Sequence, residues 1–296
     1  MNTKSGEKKL YRINLHMHTT DSDGRRSPEE AVEIYKAAGY DAVAITDHWK
    51  HGLEREIGGL KIFAGCEYNF GGNDTAKGVY HILALFCTRD PEVTREDGVE
   101  TCIRKIHAAD GLAVLAHPAW SVNQPDLVET IQKKEGFDAT EIFNTVSGVK
   151  NSVRPYSGAF VDMMASRGIS YPLLSSDDVH YYEEDATSGA ILVALSELSR
   201  EGVMDAIRRK DFCAVSGGAG APSVQVTLSE EGAHISCSPA VMVEIFTNSA
   251  GAKGRHIVGE NITEAYYTWR DTDRFLRVEV TDRGGRTVYS NLIPRS

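Results

Sequence analysis

The sequence predicts an α/β fold, a barrel of βα units followed by a small antiparallel β region, and three observations carry that prediction. From Tyr11 to about Ser216, short β-branched or apolar runs alternate with amphipathic helical segments. After "SGGAGAPS" no good helical period returns, and runs such as "SVQVTL", "VMVEIF" and "FLRVEV" alternate with Gly, Asn and Asp turns. Histidines and acids also gather where the predicted strands end, which in a (β/α) barrel is the face where loops from distant parts of the chain meet. A chain of 296 residues holds one large domain, or one of about 200 residues with a smaller partner. We place the boundary near residue 218, giving a barrel over 1–218 and a β-sandwich over 219–296.

The predicted strands, in order, are "RINLHMH", "DAVAITDH", "LKIFAGCE", "VYHILALF", "LAVLAHP", "ATEIFN", "YPLLSSDD" and "DFCAVS", with helices between most of them. The clearest helix follows "DSDG". Ser27 is its N-cap, Pro28 its first residue, Glu30 closes a capping box, and Gly39 can end it in left-handed geometry. In the tail, "TDRGGRTVYS" reads as a hairpin around Gly284 and Gly285. "GGAGAP" is a linker, because a proline and a strand-like run follow where a dinucleotide motif needs a helix.

Composition removes several function classes. A hydrophobic share of 41% and a charged share of 25% are ordinary for a soluble globular protein, and no apolar run is long enough to span a bilayer. "MNTKSGEKKL" has no apolar core behind its basic residues, so a cytoplasmic protein without a membrane partner is expected. Five widely spaced cysteines suit reduced, buried thiols better than a disulfide framework. The net charge of −10 makes long nucleic acid an unexpected partner. "NIT" at 261–263 has no meaning as a sequon in such a chain, and without a GxSxG elbow a serine hydrolase has no support.

What remains is a set of side chains with metal-binding chemistry. His16, His18, His48, His81, His117 and His180 fall at or beside predicted strand ends, together with Asp23, Glu67 and Asp178. Residues two apart in an extended strand share a side, so His16 and His18 can face the barrel mouth while Met17 packs outward. Asp178 and His180 are paired by the same rule, which favours Asp178 over its neighbour Asp177. Imidazole and carboxylate without thiolate suit catalytic Zn²⁺, Mn²⁺ or Fe²⁺ rather than a structural zinc cluster. A lone strand histidine is usually a hydrogen-bonded core residue, but six with three acids on one rim outweigh that reading.

HxH, then Asp, "TDH", Glu, two separated His and DxH together resemble the PHP (polymerase and histidinol phosphatase) family of metal-dependent phosphoesterases over residues 11–218. The resemblance implies a distorted (β/α)7 barrel and two or three divalent ions. One ion would take His16, His18, Glu67 and Asp178. A second would take Asp23, His48 and His180, and a third Glu67, His81 and His117. Some members of the family have His where this chain has Asp23. The tail resembles the β domains that follow PHP barrels in some bacterial members, where it would pack on the barrel, shape the cleft or support an oligomer.

The expected reaction is hydrolysis of a small phosphomonoester or nucleotide by metal-bound hydroxide, with Asp23, His48, Glu67, Asp178 and His180 acting through the ions. Arg25, Arg26 and Arg154 lie in predicted loops near that face and are the candidate phosphate contacts. Asp47 is expected to orient an imidazole from behind, and Asp177 to make ordinary hydrogen bonds. Trp120 is expected to cover the barrel edge, at a point where the family often shows a basic residue. His51, His107, His234 and His256 are assigned to solvent, and Asp21 to loop chemistry. The alternatives are an exonuclease acting on short oligonucleotides, and a non-catalytic metal-stabilised scaffold or ligand sensor.

Overall fold

A computed structural model describes residues 8–72, 74–150, 152–251 and 253–295. The chain is mixed α/β. Its strands form a twelve-stranded sheet and a five-stranded sheet, with five α-helices among the described residues.

Strand Lys9–Asn14 pairs in parallel with Ala42–Ala44, which pairs in parallel with Leu60–Phe63. In the smaller sheet Leu112–Leu115, Ala139–Asn144 and Leu173–Ser176 also run parallel. The remaining pairs depart from simple βα repetition. Gly65–Phe70, Tyr80–Leu85 and Leu112–Leu115 are successive antiparallel neighbours. Ala190–Leu195, absent from the predicted strands, lies antiparallel between Lys9–Asn14 and Phe212–Ser216. Its apolar run "AILVAL" could belong to a buried helix or a strand by periodicity alone.

"LKIFAGCE" is two strands rather than one, Leu60–Phe63 and Gly65–Phe70, which belong to different sheets. The break falls at Ala64, and at the adjoining Gly65 a side-chain Cβ would stand 2.6 Å from the Ile45 carbonyl oxygen. Only glycine permits that approach. The two sheets meet where strand ends touch: His48 bridges Glu67, and Met17 bridges Val179.

Helix Pro28–Ala37 starts as the sequence predicts. Ser27 Oγ accepts from the Glu30 amide while Glu30 returns the bond to the Ser27 amide, and Gly39 has φ +79°. Val32 and Tyr35 of this helix pack with Met17 in one apolar cluster. A second cluster holds Ile82, Leu115, Ile142 and Met164.

All tail strands pair antiparallel. The predicted hairpin is present, with Phe275–Thr281 and Thr287–Tyr289 joined through Gly285 at φ +75°. Thr287–Tyr289 also pairs with Phe212–Ser216, so the tail continues the larger sheet. Buried Arg277 adds a side-chain tie, its Nε 2.7 Å from Asp162 Oδ1 on helix Gly158–Ser166. The cysteines are free, and Cys66, Cys87 and Cys102 are buried.

Candidate metal centre

The nine predicted side chains come together in three overlapping groups: His18, Asp23, His48 and His180; His16, His18, Glu67 and Asp178; and Glu67, His81 and His117. His16 and His18 leave strand Lys9–Asn14 on the inner side, while Met17 between them is buried in the apolar layer. His81 reaches the cluster from the start of Tyr80–Leu85, not from its end. Its neighbours on both sides, Gly65–Phe70 and Leu112–Leu115, run antiparallel to it, so its first residues lie on the rim where those neighbours finish.

Asp178 and His180 meet the cluster through a turn rather than an extended strand, since Asp178 has φ +52°. His117, at φ +27°, and Trp49 beside His48, at φ +58°, share this left-handed region. Such conformations cost non-glycine residues about 1–3 kcal/mol each and persist only where surrounding contacts hold them. Here they turn the chain inward just as the strands end.

The floor of the site is buried: His16, His18, Glu67 and Asp178 are at most 4% exposed. Glu67 Oε2 lies 3.2 Å from His16 Nε2, 3.0 Å from His18 Nε2 and 3.4 Å from His48 Nδ1. Its other oxygen lies 2.8 Å from His81 Nδ1 and 3.3 Å from His117 Nε2. Asp178 Oδ1 sits 3.0 Å from Nε2 of both His16 and His18, which are themselves 3.2 Å apart. That buried oxygen and His48 Nδ1 nevertheless make no hydrogen bond. Donor atoms that crowd one point without pairing have the arrangement of ligands around a shared cation, and the N/O donor set fits a divalent ion. Asp23 forms the solvent side, 3.5 Å from His180, 3.6 Å from His18 and 3.9 Å from His48.

Charge in the cluster is strongly coupled. Burial opposes ionisation of Glu67, but His16 and His81 outweigh it and hold its carboxyl well below the usual range. Asp178 is held low against burial by His16, His18 and His180. Burial lowers His18, yet Asp178 and Glu67 reverse this and raise it to about 9. His48 goes the other way, because burial dominates and favours its neutral ring.

Behind the ligands stands Glu141, fully buried on strand Ala139–Asn144 and missed by the sequence reading. It accepts from His16 Nδ1 at 2.9 Å, from the His117 amide at 2.8 Å and from Asn144 Nδ2 at 2.8 Å, and bonds Ser176 Oγ. A proton on His16 Nδ1 leaves the Nε2 lone pair facing the cluster. The Asp178 carbonyl does the same for His180, 2.7 Å from its Nδ1. An acid between apolar residues of a strand, in "ATEIFN", was the available signal for Glu141.

Asp47 does not touch an imidazole. It accepts from the Thr19 amide and hydroxyl and from Ser22 Oγ at 2.6–2.7 Å, bracing the loop that carries Asp23. Asp177 is turned away, accepting from Tyr35, Thr145 and the amides of Ser188 and Gly189. Asp21 pairs with Lys50. His107 bonds Asp138 at 2.8 Å, and both ring nitrogens of His51 are buried. His234 stacks on Tyr266, and His256 lies 3.2 Å from Glu244.

A cavity of about 330 Å³ opens over the cluster, walled by Trp120, Ser147, Ser152 and Tyr181. None of the three predicted phosphate-binding arginines lines it. Arg25 lies over the Tyr181 ring at 4.8 Å, Arg26 stands 3.8 Å from Glu183, and Arg154 borders a neighbouring cavity. Trp120 does more than cover an edge, because its ring meets those of His117 at 5.0 Å and His81 at 5.4 Å.

No protein-family model matches the chain, and neither does any curated protein. Among solved structures it is similar to a two-domain protein from Bacteroides vulgatus described as containing a predicted PHP-like metal-dependent phosphoesterase, with a TM-score of 0.54 and 13% identity over 100% of this chain and 98% of that one. It is also similar to an amidohydrolase from Chromobacterium violaceum with bound sulfate and no metal, with a TM-score of 0.44 and 16% identity over 58% of this chain and 89% of that one. A candidate metal-dependent phosphoesterase from Bifidobacterium adolescentis gives 0.42 and 15% over 61% of this chain and 89% of that one. At 13% identity the likeness to the Bacteroides vulgatus protein is one of fold, and it extends along the whole length of this chain.

Proposed function

We propose that the chain is a metal-dependent phosphoesterase that hydrolyses a small phosphomonoester or nucleotide at a trinuclear centre. The centre would sit on a distorted (β/α)7 barrel over 1–218, with the β unit 219–296 packed against it. Glu67 carries the proposal: a fully buried carboxylate whose two oxygens face two different groups of imidazoles. His16, His18 and Asp178 would share one ion with it, and His81 and His117 another. Asp23, His48 and His180 would hold the third at the exposed side, where substrate enters.

Bound divalent ions would supply an ionised water near neutral pH and positive charge against the phosphoryl oxygens. The chain's own residues prepare for that chemistry. Glu141 and the Asp178 carbonyl hold protons on the outer nitrogens of His16 and His180, keeping the inner lone pairs available. Asp47 fixes the Asp23 loop through Thr19 and Ser22. Trp120 and Tyr181 help wall the cavity in which the substrate would lie.

The test is metal reconstitution with Mn²⁺, Zn²⁺ or Fe²⁺, followed by a screen of sugar phosphates, histidinol phosphate, nucleotides and short oligonucleotides. Release of phosphate from a monoester, with three ions per chain by native mass spectrometry and fewer in Glu67→Gln, is the expected result. Mononucleotide release from oligonucleotides alone would establish the exonuclease instead. Metal-loaded protein that hydrolyses nothing would leave the scaffold.

A further inference from the structure

Two cavities meet at Trp120. Beside the one over the cluster lies a second of about 310 Å³, bordered by Thr75, Val79, Trp120, Ser152, Val153 and Arg154. Trp120 and Ser152 border both cavities, and Trp120 Nε1 donates to Ser152 Oγ at 3.2 Å, so the two cavities share an edge there. The two chambers differ in chemistry. The first is lined by three carboxylates and four histidines. Among the described residues the second has no carboxylate in its lining, is bordered by buried Val79 and exposed Val153, and carries one cationic side chain, the exposed Arg154.

Among the described residues nothing neutralises that cation. Lys150, four residues earlier, lies 3.0 Å from Glu184, and Arg26 stands near Glu183. The Arg154 guanidinium has no such neighbour among the described residues, while its backbone amide donates to the Ser147 carbonyl oxygen at 2.8 Å. A planar guanidinium on a cavity wall without a carboxylate is prepared for a carboxylate or phosphate. An indole held by neighbouring rings and a hydrogen bond offers a flat ring a surface to pack against.

Resting on the phosphoesterase reading, we infer that the second cavity is the leaving-group subsite. It receives an ester alcohol built on a planar ring with a second anionic group, the ring against Trp120 and the anion at Arg154, while the phosphoryl group lies in the first cavity. Arg154 is then a specificity residue for the far end of the substrate, which accounts for its absence from the lining over the cluster. An interaction made equally with substrate and transition state lowers KM and leaves kcat unchanged.

The probes are 4-carboxyphenyl phosphate and phenyl phosphate, which differ only in the distal anion. With Mn²⁺-reconstituted protein, the KM of the carboxylated ester is expected to be lower by about tenfold or more, the size of one charged hydrogen bond. Arg154→Met should abolish the difference between the two esters and Arg154→Lys should restore part of it. Independently of turnover, 4-hydroxybenzoate should quench tryptophan fluorescence of metal-free protein more strongly than phenol does. That quench should vanish in Trp120→Phe, which leaves Trp49 and Trp269 in place, and weaken about tenfold in Arg154→Met. Equal KM values for the two esters, or quenching indifferent to both substitutions, would overturn the subsite. Arginine-dependent quenching without hydrolysis of either ester would keep a site for a ring and an anion but overturn its assignment to a leaving group. Hydrolysis without discrimination and without quenching would overturn the site and keep the phosphoesterase reading.

Discussion

Glu141→Gln isolates the support behind the candidate ligands, because it preserves volume and removes one charge. In the native site both carboxylate oxygens accept: one from the His117 amide and Asn144, the other from His16 Nδ1 and Ser176. A glutamine can keep its oxygen toward the first pair only by placing its NH₂ against His16 Nδ1. The ring must then turn Nδ1 into an acceptor and move its proton to Nε2, the atom 3.0 Å from Asp178 and 3.2 Å from Glu67. Reversing the amide instead sets its NH₂ against the His117 N–H and leaves two buried donors unpaired. Removal of such a supporting contact lowers metal affinity about 10–100-fold, equivalent to roughly 1.4–2.7 kcal/mol. Loss of one set of buried partners lowers metal-free stability by about 1–3 kcal/mol. Chelator competition and urea unfolding read the two effects separately. Wild-type affinity for all bound ions in Glu141→Gln would refute the tautomer argument, even if stability fell.

Two further predictions follow from charge. His18 is raised to about 9, so in metal-free protein its protonated form contributes stability that is fully present below about pH 6.5 and lost as pH rises through about 9. Glu67 and Asp178, held low, contribute stability present above the usual carboxylate range and lost in acid. The metal-free Tm should therefore decline between pH 7 and 9, while metal binding, which must displace ring protons, should tighten over the same interval; a flat Tm with pH-independent affinity would contradict both. In the tail, Arg277→Met leaves Asp162 and Glu279 facing an apolar side chain where Arg277 bonded both. A loss of about 3–5 kcal/mol in urea unfolding is expected, with part recovered by adding Glu279→Leu; a loss under about 1 kcal/mol would show that the network is not a buried anchor.

Much of the candidate site was legible because metal chemistry restricts residue type. Imidazoles and acids at the ends of apolar runs are improbable as packing, and their order along the chain was readable before any coordinates. Their support was harder to read. Glu141 sits in a strand whose sequence does not say which face is covered. The arginines were placed by loop position alone, and loops near one rim open into more than one cavity. His81 lies at the start of its strand and not at its end, since strand direction decides which end of a strand reaches the rim. Gly24 shows the same limit: what excludes a side chain there is the His18 carbonyl oxygen, 2.3 Å from where a Cβ would stand.

By itself the sequence determined an α/β chain with a β tail, the capped helix after the first strand, and the ligand-type residues, because period, capping chemistry and donor identity are local properties. Tertiary structure alone decided which sheet each half of "LKIFAGCE" joins, that the tail's last hairpin extends the larger sheet, and that Glu67 directs one oxygen to each of two imidazole groups. Those outcomes depend on strand direction, close backbone approach and side-chain rotation between residues far apart in the chain, and no window of neighbouring residues contains them.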